Sequence, residues 1–273
     1  MPSEKRARQR AAREARLAAE AQQRHRRQRI RNGVIAVVVI AAVVGVVYAI
    51  TSNNKPVGSQ SSTTTTVASA NSRLQAEANQ AAVKAGCPAS PKTPANHQTY
   101  SAAPAMTIDT TKTYSATVKT TTGTFTIALN ASAAPKTVNN FVFLAEKGYF
   151  HCNTFFRVIP QFVNQTGNAT QTNASTAALS YTLPAENLPP AATPTKPAYP
   201  VGSVAMATSS KGVSGNQFFI VTGSQGESLP NSYPLFGLVS SGENVIQTIS
   251  QQGSSSGTPK VIQRMLSVTI HES

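Results

Sequence analysis

The fold class that the sequence predicts is mainly β, a barrel or sandwich of short strands, carried behind a single transmembrane helix and a flexible stalk. Three observations predict it. Beyond about residue 114 the apolar residues alternate in short runs separated by Pro-, Gly- and Asn-rich loops, which is the signature of strands and turns. Helical spacing of apolar residues occurs in only two places within that region. Ahead of it, 18 uncharged apolar residues, 33–50, lie between a basic tail and a Ser/Thr-rich stretch.

The tail comes first. Residues 1–31 carry eleven Lys and Arg against Glu4, Glu14 and Glu20, and so supply +8 of the formal net charge of +14. The remaining residues hold 13 basic and 7 acidic side chains, so the high isoelectric point describes the tail and gives no reason to expect a nucleic-acid-binding domain. The run GVIAVVVIAAVVGVVYAI is just long enough to span a bilayer. A cleaved signal peptide would have a shorter apolar region with a small-residue cleavage site close behind. The nearest such match, Ala68–Ala70, lies far downstream. An uncleaved anchor over 32–50 is therefore expected, with the basic tail held in the cytoplasm and the C-terminal bulk exported.

Residues 51–103 read as a Ser/Thr/Pro-rich extracytoplasmic stalk. Its first part, 51–70, is low in complexity and without hydrophobic periodicity, whereas 71–84 could form a short helix. Residues 104–273 form the folded domain, long enough to bury a sizeable core. Tyr114, Ala116 and Val118 share one face of a strand. After a turn ending at Gly123, Phe125, Ile127 and Leu129 share one face of the next, which makes a hairpin. Pro135 suits a first helical position. Val138, Phe141, Val142 and Ala145 then recur at helical spacing, and Gly148 stops the helix. Strands are expected at 154–159, 203–207, 217–221, 235–239 and 265–270, with a second helix at 243–249.

Acid–base equipment is scarce in this chain. Asp109 is the only aspartate, and His25, His97, His151 and His271 are scattered. Hydrolytic and metal chemistry usually need such groups clustered, so a reaction with little proton transfer is expected. Gly253-Ser-Ser255-Ser-Gly257 fits G-x-S-x-G formally but lacks the strand–turn–helix context of a nucleophile elbow. The pair His151-Cys152 has no evident Asn or Asp partner for a thiol nucleophile. Cys87 and Cys152 both fall on the exported side, where an even pair suggests a disulfide.

Four segments in order resemble the cyclophilin family of peptidyl-prolyl cis/trans isomerases. They are PKTVNNFVFLAEKGYF (135–150), FFRVIPQFVNQTGN (155–168), GSVAMA (202–207) with SGNQFFIV (214–221), and LPNSYPLFGLV (229–239). The resemblance runs from about 114 to 270. It implies an eight-stranded antiparallel β-barrel capped by two α-helices, with a hydrophobic groove on the outer face and no cofactor or metal. It further implies that Arg157 is the catalytic arginine and that Gln165 positions it. Phe162, Val163, Phe219 and Leu229 would grip the proline ring. Gln217, Ala207 and Thr208 would bind the substrate main chain, with Phe156 and Tyr233 at the groove's edge. The partners implied are proline-containing polypeptides, unfolded or exported, bound by a monomeric domain.

The topology, and a likeness to Arg-tailed, stalked cyclophilins of actinobacteria, point to a single-pass protein of a bacterial plasma membrane. A catalytically weak module that only binds proline-containing segments is the alternative, because several positions depart from the family pattern. Phe156 stands where His is common, Val163 where Met is, Thr166 and Asn168 where Gly and Asp are, and Thr208 where Asn is. Ser228 occupies the place of a Trp that helps bind cyclosporin, and the chain contains no Trp. Inhibition by cyclosporin is therefore expected to be poor; a nanomolar inhibition constant in a peptide isomerisation assay would contradict this.

Overall fold

The computed structural model describes residues 62–94, 98–169, 179–193 and 195–273. The expected cytoplasmic tail, the transmembrane helix 32–50 and the first part of the stalk lie outside the described residues. Among the described residues no helix is long and apolar enough to cross a membrane.

Helix α1 runs Ser62–Lys84 and precedes the strand-rich part of the chain. Strands β1 (Tyr114–Thr120) and β2 (Thr124–Leu129) form the expected hairpin, and α2 (Pro135–Glu146) follows. Next come β3 (Arg157–Ile159), β4 (Val163–Thr166), β5 (Thr182–Leu183), β6 (Ser203–Ser209) and β7 (Gly212–Val221). The short helix α3 (Ser224–Glu227), β8 (Leu235–Ser241), α4 (Glu243–Gln251) and β9 (Met265–Glu272) complete the order.

All strand pairings are antiparallel, and the sheet runs β3-β4-β7-β6-β8-β2-β1-β9. Eight strands lie on this path and a ninth, β5, pairs with β7 beside it, which makes nine where eight were expected. The two ends of the path are bridged by the segment ahead of β3. There Thr154 pairs with Arg264, and the Phe155 N–H donates to the Gln263 carbonyl at 2.9 Å. The result is a curled antiparallel half-barrel. Helix α2 packs on β7 and β9, and α4 on β2, β3 and β4. Its core is filled by Phe141, Phe150, Phe218 and Phe236, with neighbouring ring centroids 5.0–6.0 Å apart. Rings at such spacings add edge-to-face attraction to the area they bury.

Two expectations need correction. The strand foreseen at 154–159 begins only at Arg157, because residues 153–155 are engaged with the start of β9 instead. The stalk, read as flexible up to 70 with a short helix possible over 71–84, is helical over the whole of Ser62–Lys84, so the helix starts earlier than expected. Gln75, Ala78, Asn79 and Ala82 form one face of α1 at i, i+3, i+4 and i+7. Ala78 and Ala82 are buried, and Gln75 exchanges two hydrogen bonds with the backbone of Ile262. Arg264, 1% exposed, donates to Asn79 Oδ1 at 3.0 Å and to the Pro88 carbonyl at 2.6 Å. Burial lowers its pKa. This face is small and polar, so apolar periodicity could not reveal it.

The expected disulfide joins Cys87 to Cys152, with Cα atoms 5.5 Å apart and a sequence separation of 65. Ala82 and Leu266 pack around it in a small cluster of their own. Closing a loop of that length restricts the unfolded chain by roughly 4 kcal/mol in the chain-entropy account. Replacing both cysteines by alanine is expected to lower unfolding free energy by about that amount in denaturant titration. A change of less than about 1 kcal/mol would show that the docked helix holds the segment without the bond.

Candidate functional site

Strand alternation separates two faces of the sheet. Val158, Asn164, Ile220 and Val204 stand opposite one another across β3, β4, β7 and β6, and all four are buried on the core side. One residue along, Arg157 pairs with Gln165, Gln165 with Phe219, and Phe219 with Ala205. Because successive side chains point to opposite faces, this second row lies on the outer face. A separate apolar cluster forms there from Val163, Ala205, Phe219 and Val221, with Phe162, Leu229 and Tyr233 packed against it.

The turn between β3 and β4 aims Phe162. Pro160 and Gln161 are its central residues. Gln161 takes φ +63°, and the Phe162 N–H returns to the Ile159 carbonyl at 3.1 Å. Proline followed by a residue of positive φ is the type II arrangement. The chain around α3 closes on this turn. Thr222 N–H donates to the Phe162 carbonyl at 3.0 Å, and Gln225 N–H to the Gln161 carbonyl at 3.1 Å. A Cβ at Gly223 would lie 2.7 Å from the Gln161 Cα, so only glycine permits this approach.

Arg157 is held on two sides. Its Nη1 donates to Gln165 Oε1 at 3.3 Å, and its guanidinium lies over the Phe162 ring, 5.5 Å from the centroid. Gln165 Nε2 in turn donates to Gln217 Oε1 at 3.2 Å. A planar cation facing an aromatic ring is attracted by the ring quadrupole, and the glutamine fixes its rotation.

The opposite rim is set by Tyr199, a fully buried residue that the sequence reading did not single out. Its hydroxyl donates to the Tyr233 carbonyl at 2.9 Å, lies 3.3 Å from the Pro230 carbonyl, and accepts from the Tyr233 N–H at 3.1 Å. Burial raises its pKa. Thr208 Oγ1 donates to the Ser232 carbonyl at 3.0 Å and ties β6 to the same rim. Tyr233 meets Phe219 edge-on at 5.3 Å.

Together these residues enclose a groove of about 160 Å³ lined by Arg157, Phe162, Val163, Gln165, Ala207, Thr208, Phe219, Leu229 and Tyr233. Arg157 is its one charged side chain, and the lining holds no carboxylate or imidazole. Of the site residues expected from sequence, Gln217 stands behind the lining through its bond to Gln165. Phe156 does not reach the groove. It precedes the first ladder residue of β3 and faces a different cavity, with Pro91, Lys92, Thr154, Thr258, Pro259 and Ile262. Among the described residues, the one grouping of potential metal ligands is Cys87, His151 and Cys152, whose two sulfurs are joined to each other.

Residues 115–270 match the family described as cyclophilin type peptidyl-prolyl cis-trans isomerase/CLD. The chain is 36% identical over 128 residues to peptidyl-prolyl cis-trans isomerase-like 1 of Aspergillus niger, covering 47% of this chain and 76% of that protein. The protein of the same name from Neurospora crassa is 34% identical over 130 residues, covering 48% and 77%. A crystal structure of a cyclophilin type peptidyl-prolyl cis-trans isomerase of Cryptosporidium parvum aligns with a TM-score of 0.47 at 23% identity. That alignment covers 58% of this chain and 98% of the other.

Removing the Tyr199 hydroxyl leaves the 230–233 rim without its buried anchor. Tyr199→Phe is expected to cost about 1–3 kcal/mol of stability and to weaken peptide binding more than turnover. Calorimetric unfolding together with separate KM and kcat values checks this; an unchanged KM would place the rim outside the binding surface.

Proposed function

Because the chain belongs to the cyclophilin-type peptidyl-prolyl cis-trans isomerase family, we propose that its groove turns X–Pro bonds of exported polypeptides, with Arg157 donating to the twisted amide. The observation that carries this reading is a single cation, pinned by Gln165 and Phe162, at the edge of an otherwise uncharged pocket.

The chemistry asks for little else. Resonance in the peptide bond sets a rotational barrier of ~18–20 kcal/mol. The two isomers of an X–Pro bond differ by only about 0.5–1 kcal/mol, so a catalyst must favour the twisted state rather than either end state. As the bond twists, the prolyl nitrogen regains its lone pair, and a fixed donor nearby stabilises it without reorganising. Arg157 supplies that donor, and Gln165 keeps its fork facing the groove. Phe162, Val163, Phe219 and Leu229 seat the pyrrolidine ring. Ala207 and Thr208 at the rim, with Gln217 behind Gln165, hold the main chain on either side. No proton is moved, which agrees with a lining free of carboxylate and imidazole.

The exported location rests on the sequence and on the disulfide. The apolar run 33–50 behind an Arg-rich tail favours a plasma-membrane anchor with a cytoplasmic N-terminus. A buried Cys87–Cys152 bond suits an oxidising compartment. Clients are then unfolded segments of proteins crossing or leaving a bacterial plasma membrane. Protease added to intact cells should reach the domain and leave the tail protected; a protected domain would overturn the export half of this reading.

The chemical half is tested by prolyl isomerisation of a short X-Pro peptide with the full-length chain in detergent. Arg157→Ala is expected to lower kcat/KM about a hundredfold or more while peptide binding persists. Turnover that survives the substitution would remove Arg157 from the mechanism. Binding without turnover in the unsubstituted chain would instead mark a proline-recognition module.

A further inference from the structure

The Ser/Gly run at 253–257, which carries no nucleophile elbow, lies against the strand that bears Arg157. Strand β3 sits at one end of the sheet path and has a ladder partner, β4, on one side. Its other side is occupied by this loop. The Val158 N–H donates to the Gly257 carbonyl at 2.9 Å, and the Ser254 N–H donates to the Val158 carbonyl at 3.1 Å. The loop braces itself through Gly257 N–H to the Ser254 carbonyl at 3.0 Å and Ser254 Oγ to the Thr258 carbonyl at 2.7 Å. Beyond it, Thr258 and Pro259 border the cavity of about 300 Å³ that also receives Phe156. Along that wall the loop has empty space behind it, and it is held by its hydrogen bonds to β3 together with two to the end of α4, Gly253 N–H to the Ser250 carbonyl at 3.0 Å and Lys260 N–H to the Gln252 carbonyl at 2.7 Å.

Gly257 takes φ +88°, a conformation that side chains of L-residues rarely adopt. A Cβ built there would stand 3.1 Å from Cγ of Arg157, 3.7 Å from its Nε and 3.6 Å from Cγ1 of Ile159. The aliphatic stem of Arg157 therefore rests on the bare Cα of Gly257. The head of the same side chain is gripped by Gln165 and Phe162. Stem and head together fix the line along which the guanidinium donates.

We propose that Gly257 is a positioning residue for the isomerase reaction. The absence of a side chain at this position seats the Arg157 stem and so sets where the guanidinium meets the twisted amide. This rests on the reading of Arg157 given above. A donor to a developing lone pair must lie within a few tenths of an ångström of its ideal distance, and small misplacements in a reacting geometry cost large factors in rate. A Cβ at 257 pushes the stem of Arg157, and its nearest neighbours otherwise include only Ile159, which is not part of the groove lining.

The test uses the full-length chain in detergent with the same X-Pro peptide. Gly257→Ala is expected to lower kcat about tenfold while the peptide Kd stays within about twofold of the parent. Gly257→Asn adds the same Cβ, but asparagine tolerates positive φ, so it separates contact with Arg157 from backbone strain and serves if the alanine variant fails to fold. In an Arg157→Ala background, adding Gly257→Asn should change the residual rate less than about twofold. Parent-like kcat in a folded Gly257 variant, or an equal loss in both backgrounds, overturns the proposal while leaving Arg157 in place. Full activity of Arg157→Ala alone overturns the arginine reading itself, and this inference with it.

Discussion

The register of four neighbouring strands is the constraint from which the rest of the site follows. With Arg157 opposite Gln165, Gln165 opposite Phe219 and Phe219 opposite Ala205, cation, amide, aromatic floor and small residue share one face. The residues between them, Val158, Asn164, Ile220 and Val204, fill the core. A slip of one residue would exchange the two sets, burying Arg157 among phenylalanines and turning the core outward. That cost is what locks the register. The buried Asn164 adds to it by donating to the Ile246 carbonyl at 2.9 Å, which fastens α4 to β4.

The parts of the fold that could be read in the sequence are those where one rule dominates. The β1–β2 hairpin shows strict alternation about Gly123. Helix α2 has Pro135 at its start and Gly148 at its end, and both boundaries fall where those residues place them. Strand β4 escaped notice because Val163-Asn-Gln-Thr166 has one apolar residue in four and owes its place to two flanking ladders. Strand β5 is two residues long and carries no pattern at all. Most of the groove was legible through motif order rather than chemistry: taken alone, Phe162, Phe219 and Leu229 look like ordinary core. Phe156 was misplaced because adjacency to Arg157 in sequence does not survive the change of partner between residues 155 and 157. Tyr199 and Gly257 gave no signal, since one acts through its hydroxyl on a distant loop and the other through the side chain it lacks.

The segment ahead of the barrel turned out to be part of the folded domain. Helix α1 docks through amide groups and small residues, and the two terminal nitrogens of its neighbour Arg264 donate to a carbonyl and an amide oxygen. Burying a cation in that way depends on directional partners, because desolvation penalises the charge at every other geometry. Helix, arginine and disulfide thus meet at residues 152–155, immediately upstream of β3. The same neighbourhood feeds the loop that supports Arg157 from the far side. Support for the cation therefore comes from elements widely separated along the chain.

The pairing of β1 with β9 joins strands whose residues lie about 150 positions apart, from Tyr114 opposite Glu272 to Thr120 opposite Met265. Synthesis delivers β1 early and β9 late. Until the late strand arrives, one edge of β1 carries open N–H and C=O groups, the kind of template that recruits stray strands. Such long-range closure also slows folding relative to local pairing. The domain is therefore for a time in the condition of the clients proposed for it: unfinished, with exposed backbone, and dependent on what it meets before its last strand is in place.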